Sequence, residues 1–171
     1  MSTELRAAGR RRVEPDPALR LRMQRLLGGA SLEPEAMPPC AVLVVRSLGD
    51  PLPGRLRPGP ADVLPSREWE RAVRGALAER YRQAARPARG VVPAGAAAVL
   101  FADQAELLAA FARDACAGVA GARWWWAALA RGLGGGVEAL VRLWLREPHH
   151  VPAAVEHLAA WGEAGRVMAA L

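Results

Sequence analysis

The sequence contains no lysine, no asparagine and no isoleucine, so arginine supplies all 23 of its basic side chains. We interpret this bias as that of a GC-rich genome, because GC-rich codons favour Ala, Arg, Gly and Pro. The net charge is +6 and the pI is about 11.0. The absence of lysine raises the pI without adding charge, so the pI alone is weak evidence for a nucleic-acid partner.

Cysteine is also scarce, and long apolar segments are missing. The two cysteines, Cys40 and Cys116, form no CxxC pair, which excludes a disulfide framework, and we expect both to behave as small hydrophobic residues. No stretch of 18 apolar residues lacks a charge or a glycine, so no membrane span is predicted. No apolar run follows a basic start, so no secretory signal is predicted and we expect a cytoplasmic protein.

Motifs that would identify an enzyme or a cofactor site are absent as well. The glycines at 132–136 follow a helical segment and lack the GxxxxGK[ST] and GxGxxG spacings, so we interpret them as a hinge. His149, His150 and His157 match neither HxxxH nor HExxH, and we interpret the first two as polar residues of a turn. We therefore expect no catalytic residue, no metal and no cofactor, and infer that the protein is not an enzyme.

Aromatic residues make up only 5% of the chain, yet six of them are tryptophan. Three stand in a row, Trp124, Trp125 and Trp126, directly after Arg123. If this run is helical, successive side chains diverge by about 100° and the three span roughly 200° of the circumference, which is wider than one core-facing stripe. We therefore expect at least one indole at the edge of the core or outside it, and Arg123 stacked on an indole.

Three interpretations of the tryptophan run stay open. In the first, one or two indoles pack in the core and the third lies along a neighbouring helix. In the second, Arg123, Trp124, Trp125 and Trp126 form a partner-binding surface, since indole is favoured in protein interfaces. Stacking of exposed indoles on nucleobases is a third alternative. The partner-binding surface is our leading hypothesis, with the Pro/Gly-rich loop at 49–65 as an auxiliary element.

Apolar periodicity predicts a mainly α protein with a minimal two-stranded β element and a C-terminal array of short helices. The strands are the runs from Cys40 to Val45 and from Val99 to Phe101. Asp103 and Glu106 have the spacing of a capping box. Four residues of the segment 137–146 are predicted to face the core: Leu140, Val141, Trp144 and Leu145. Helices are predicted at 17–27, 66–86, from 104 to about 118, 124–130, 137–146, from about 152, and 163–171.

Composition divides the chain into three parts. Residues 1–15 are predicted to be a flexible Arg-rich N-terminus. Residues 16–131 are predicted to form a helical domain that contains both strands and the loop at 49–65, and residues 132–171 a C-terminal helical array.

Arginine is concentrated in two segments, 1–27 and 66–90, each with seven Arg against three acidic residues. The alternative function is therefore an Arg-mediated nucleic-acid-binding protein. Its affinity for a duplex would fall by about 0.9 log units per log unit of salt for each phosphate contact. The competing interpretation is a solvated helix face, since no helix-turn-helix is recognised. The candidate residues are Arg10, Arg11, Arg12, Arg20, Arg22, Arg25, Arg71, Arg74 and Arg82.

Three stretches together resemble a group of uncharacterised bacterial proteins associated with loci for phage-tail-like contractile injection systems. They are AVLVVR at 41–46 followed by DPLPG at 50–54, AVLFAD at 98–103 with ELL at 106–108, and RWWW at 123–126. The resemblance covers about residues 15–171 and implies a non-enzymatic assembly or accessory role. The expected partner is a protein, either an injection-system component or a second copy of the chain.

Overall fold

The computed structural model describes residues 21, 24, 25, 27–53 and 65–171. In chain order, these residues form strand β1 (Val42–Val45), helix α1 (Arg67–Arg82), strand β2 (Ala98–Phe101), and helices α2 (Gln104–Cys116), α3 (Gly136–Arg146), α4 (Val151–Ala160) and α5 (Ala164–Ala170). Single 3-10 turns lie at Ala120–Ala122, Trp124–Trp126 and Pro148–His150. The predicted mainly α fold with a minimal two-stranded element is confirmed.

The two strands pair antiparallel, with Val42 opposite Phe101 and Val45 opposite Ala98. Valine and phenylalanine suit a pleated surface that is covered on one or both faces. All four residues of β2 are buried, whereas those of β1 are half-buried. Strand β2 is therefore the inner strand and lies against the helical core. The predicted strand start at Cys40 is wrong, because Cys40 is exposed and lies in a turn before β1.

Helix α1 begins where the sequence predicts and ends earlier. Ser66 Oγ accepts a hydrogen bond from the Trp69 backbone nitrogen at 3.3 Å, as expected of an N-cap. The helix was predicted to reach Arg86, but it ends at Arg82. Ala85 instead donates its N–H to Ala98 and accepts one from Leu100, so the chain joins the edge of β2.

Helix α2 is the central element of the core. Ten of its thirteen residues are buried, which is typical of a helix covered on all sides. The predicted N-cap is confirmed, since Asp103 Oδ1 accepts a hydrogen bond from the Glu106 backbone nitrogen at 2.7 Å. Glu106 completes a variant of the capping box, because its Oε2 accepts from the backbone of Ala102 rather than from the N-cap residue. Helices α3, α4 and α5 pack against α2.

Helix α3 corrects the prediction of its inward face. Leu140 is buried and Trp144 packs half-buried against the core, as predicted, and Leu143 is also buried, but Val141 and Leu145 are 39% and 75% exposed. Apolar residues occupy more of the α3 circumference than a single neighbouring helix can cover. Helix α3 therefore buries one part of its apolar surface and leaves the other part in contact with solvent.

The described chain clusters into two units. The smaller unit comprises the described residues of the ranges 1–35 and 48–79, and the larger unit comprises 36–47 and 80–171. The core of the smaller unit contains Leu32, Trp69 and Val73. In the larger unit, β2 and α2 to α5 surround a core that includes Phe101, Phe111 and Trp126. The domain boundary predicted near residue 131 stays a prediction.

Some predicted features lie outside the described residues. They are the flexible segment 1–15, the start of the first helix, and most of the loop at 49–65. The described positions between 21 and 28 are helical, as the sequence predicts. Within the described part of the chain, every helix is too short or too polar to cross a bilayer.

Candidate functional site

The three consecutive tryptophans form one turn of 3-10 helix. With three residues per turn, their side chains leave the axis in three different directions. Trp126 is 1% exposed, Trp125 is 5% exposed, and Trp124 is half-buried against the edge of the core. The predicted short α-helix to Ala130 is thus replaced by a tighter turn. The indole that the sequence predicts at the edge of the core is that of Trp124.

Trp126 is a structural residue of the larger unit. Its Nε1 donates a hydrogen bond to Asp114 Oδ2 at 2.9 Å, which gives the buried carboxylate a partner. Its ring stacks on Phe101 at a centroid distance of 5.5 Å and meets the edge of Phe111 at 5.2 Å. These contacts fix where the turn joins α2 and β2. Trp126 is therefore not available to a partner.

Arg123 and Trp125 form the predicted cation–π pair. The guanidinium carbon of Arg123 lies 5.4 Å from the centre of a Trp125 ring. The Arg123 backbone is held between two turns, because its N–H donates to Ala120 and its carbonyl accepts from Trp126, each at 3.1 Å. The Nε1 atoms of Trp124 and Trp125 are buried, and neither has a hydrogen-bond partner among the described residues. Arg123 is thus positioned by both its backbone and its stacking contact.

A cavity of about 270 Å³ opens beside this pair in the larger unit. Apolar groups and three charged side chains line it. Its residues are Pro87, Gly90, Val91, Val92, Arg113, Asp114, Arg123 and Trp125.

The charged side chains that line the cavity differ in whether they have a partner of opposite charge. Arg113 donates to the carbonyl of Pro87 at 3.1 Å, and its Nε lies 3.5 Å from Asp114 Oδ1. Its guanidinium also lies over the Trp161 ring at 5.4 Å. By contrast, Arg123 has no ion pair with any carboxylate in the described chain. The cavity therefore carries one uncompensated positive charge.

A second candidate surface is the outward side of α3. We call Val137, Val141, Trp144 and Leu145 the α3 outer face. Val137, Val141 and Leu145 follow one another at four-residue spacing, so they share one side of the helix. Leu145 is 75% exposed, Val141 is 39% exposed, and the other two are half-buried. The sequence gives no separate signal for this face, because the apolar residues at 137, 140, 141, 144 and 145 have the i, i+3, i+4, i+7, i+8 spacing of an ordinary core-facing stripe.

The candidate nucleic-acid residues are only partly described. Arg25 and Arg71 are exposed, and Arg82 is exposed on the last turn of α1. Arg74 donates to the carbonyl of Ser31 at 2.9 Å and lies 3.8 Å from Glu35. It is therefore held by its own unit. Five others lie outside the described residues: Arg10, Arg11, Arg12, Arg20 and Arg22. The nucleic-acid hypothesis stays a prediction.

The histidines and cysteines do not assemble into a reactive site in the part of the chain that the structure describes. His149 and His150 are exposed in a 3-10 turn, as expected for turn residues. His157 Nε2 lies 4.0 Å from Asp103 Oδ1. Burial raises the pKa of the Cys116 thiol, while the positive charge of Arg166 opposes this shift. No described group of three His, Cys, Asp or Glu side chains is placed to hold a metal ion.

The chain was compared with family models, curated protein sequences and solved structures, and none of them matches it. The geometry of the cavity and of the α3 outer face is therefore the basis for assigning a function.

Proposed function

We propose that this chain is a non-enzymatic interaction protein that docks a protein partner through the α3 outer face. The observation that carries this proposal is the exposure of Leu145 and Val141 one helical turn apart, 75% and 39%, beside Trp144. Single exposed apolar residues are common, but an adjacent set on one helix forms a patch, and such patches mark interaction sites. We place the docking surface here rather than on the tryptophan run, because Trp125 and Trp126 belong to the core.

The chemistry of α3 favours an amphipathic helix as the partner element. Helices recognise one another through apolar side chains at three- and four-residue spacing, which is the spacing of the α3 outer face. Trp144 packs partly against the core of the larger unit, and its remaining exposed surface adds to the patch a residue type that is enriched at the energetic centres of interfaces. Burial of Leu145 against a partner would contribute about 2 kcal/mol.

Charge on α3 favours acidic residues at the edge of the partner helix. Arg142 is paired with Glu138 at 2.6 Å. Arg146 is exposed and has no ion pair with any described carboxylate. A partner carboxylate beside Arg146 would steer and orient the encounter. The net charge of +6 favours an acidic partner over a second copy of the chain.

The resemblance to proteins associated with contractile injection systems supports an accessory role in assembly. In that setting the partner would be a component of the particle.

The experiment places a photo-crosslinking residue at position 145 and, as a control, at position 168. Met168 is also an exposed apolar residue, 57% exposed, and lies on α5. Both proteins are produced in the native host and irradiated, and the crosslinked peptides are identified by mass spectrometry. We expect position 145 to capture one protein through a segment with helical apolar spacing and acidic flanks, and position 168 to capture none.

A double substitution tests whether binding of the captured protein depends on the α3 outer face. The double substitution Val141→Ser and Leu145→Ser should abolish a purified interaction with the captured protein while shifting stability by less than about 1 kcal/mol. Equal crosslinking at positions 145 and 168 would contradict the proposal. Crosslinking of position 145 only to this chain, together with a dimer in analytical ultracentrifugation, would replace the partner by a second copy.

A further inference from the structure

We propose that the cavity beside Arg123 binds a small monocarboxylate with an apolar body. The proposal concerns a different surface from the α3 outer face and does not depend on it. It rests on three properties of the cavity: a positioned guanidinium with no anionic partner among the described residues, a net charge of about one, and an apolar wall around a volume of about 270 Å³.

The first property is the state of Arg123. Arg123 is half-buried, and its guanidinium lies over the face of Trp125 without a carboxylate partner among the described residues. Stacking uses the plane of the guanidinium and leaves its edge, which carries the N–H donors, free for another group. A partly buried cation without an anion is costly. A carboxylate that accepts two parallel hydrogen bonds from this edge would remove that cost.

The second property decides between a carboxylate and a phosphate. Asp114 lines the same cavity and is 6% exposed. Its negative charge is compensated by Arg113 and by the Trp126 N–H. Arg123 therefore supplies the cavity with a net charge of about one. A single negative charge matches this value, whereas a phosphate dianion would face a nearby carboxylate with only one free cation.

The third property defines the rest of the ligand. Pro87, Val92 and Trp125 are buried and form an apolar wall. Val91 is 95% exposed at the rim. The cavity volume lies just below the usual range for drug-sized ligands, about 300–1,000 Å³. A molecule the size of an aryl acetate fits this combination.

The test uses phenylacetate as the probe and phenylacetamide as its neutral analogue. Binding is followed by the indole N–H signals in a 15N-labelled sample, with Trp125→Phe to assign the reporter signal. We expect phenylacetate to shift the Trp125 signal with a Kd of about 1 mM. Phenylacetamide should bind at least about tenfold more weakly, because it lacks the charge. Phenyl phosphate should not bind more tightly than phenylacetate.

Two variants and one control connect the binding to the cavity. Arg123→Gln should weaken phenylacetate binding at least about tenfold. Val91→Glu places a negative charge at the rim without changing a buried contact, so it tests the same idea even if Arg123→Gln fails to fold. Arg131→Gln removes an exposed arginine outside the cavity and should leave Kd unchanged.

Four results would overturn the proposal. The first three are equal affinity for the acid and the amide, unchanged affinity in Val91→Glu, and the absence of any shift at about 20 mM phenylacetate, well above the expected Kd. A loss of affinity as large in Arg131→Gln as in Arg123→Gln would also overturn it, since the binding would then follow overall charge.

Discussion

Two indoles of the tryptophan turn differ in how their N–H groups are used. The Nε1 of Trp126 donates to the buried carboxylate of Asp114, whereas the Nε1 of Trp124 is buried and finds no acceptor in the part of the chain that the structure describes. The same side-chain type therefore stabilises the fold in one position by packing and a hydrogen bond, and in the other by packing alone.

We predict that Trp126→Phe destabilises the protein more than Trp124→Phe. Phenylalanine at 126 removes the donor and leaves Asp114 Oδ2 without its partner, which costs about 1–3 kcal/mol in addition to the lost ring contacts. Phenylalanine at 124 removes no hydrogen bond. Urea denaturation followed by circular dichroism measures both free energies of unfolding. Equal destabilisation would show that the Trp126–Asp114 hydrogen bond contributes nothing.

The two cysteines should differ in reactivity. Cys40 is exposed, whereas burial raises the pKa of Cys116 and Arg166 partly offsets this. Since the thiolate is the nucleophile, we expect iodoacetamide to label Cys40 first at pH 8. Mass spectrometry of the single variants Cys40→Ser and Cys116→Ser measures each rate. Arg166→Ala should slow labelling of Cys116 further, and faster labelling in that variant would contradict the assigned direction.

The raised pKa of Cys116 also predicts a direction for stability. The folded protein holds the thiol proton more tightly than the unfolded chain. The associated stabilisation is therefore present below the pKa of the unfolded thiol and is lost as the pH rises through the higher pKa of the folded thiol.

Among the contacts that stabilise single helices, the N-cap of α2 is the one that a substitution tests most directly. Asp103→Ala removes the acceptor of the Glu106 N–H and should destabilise the protein by about 1 kcal/mol. Asp103→Asn keeps an acceptor oxygen and should destabilise the protein by only a few tenths of a kcal/mol. The stabilities are measured by thermal melts in about 0.5 M salt, because salt screens any electrostatic interaction between Asp103 and the nearby His157. Equal losses in both variants would assign the effect to charge rather than to capping.

The main elements were predictable because their signals are local. Valine-rich runs mark both strands, Ser66 and Asp103 mark helix starts, and four-residue spacing marks α1. The end of α1 was not predictable, since it depends on the pairing of Ala85 with β2, thirteen or more residues away. Tertiary hydrogen bonds outweighed the helical pattern there. The tryptophan run likewise became a 3-10 turn, because its three rings fill different places around the core.

The candidate sites were less predictable than the fold. Arg123 was identified from its position beside three indoles, and its stacking on Trp125 follows from known cation–π preferences. The cavity could not be identified, because its walls come from residues 87–92, 113–114 and 123–125, which only the tertiary fold brings together. The α3 outer face could not be assigned either. Periodicity locates apolar residues on a helix but does not say how much of its circumference a neighbour covers.

The distribution of tryptophan over the molecule makes its two units separately observable. Trp69 is the one tryptophan of the smaller unit, where it packs with Leu32 and Val73 and donates to Asp50 at 3.0 Å. The remaining five tryptophans belong to the larger unit. The described core of the larger unit is much more extensive than that of the smaller one. Since stability follows buried apolar area, the smaller unit should open first.

We therefore predict two urea transitions by fluorescence. The emission of Trp69 is isolated as the difference between the unmodified protein and Trp69→Phe, and its midpoint should lie at a lower urea concentration than that of the other five tryptophans. Trp69→Ala should destabilise the smaller unit by about 3–5 kcal/mol and leave the midpoint of the larger unit unchanged. A common midpoint for both signals, moved together by Trp69→Ala, would show instead that the two units unfold as one cooperative body.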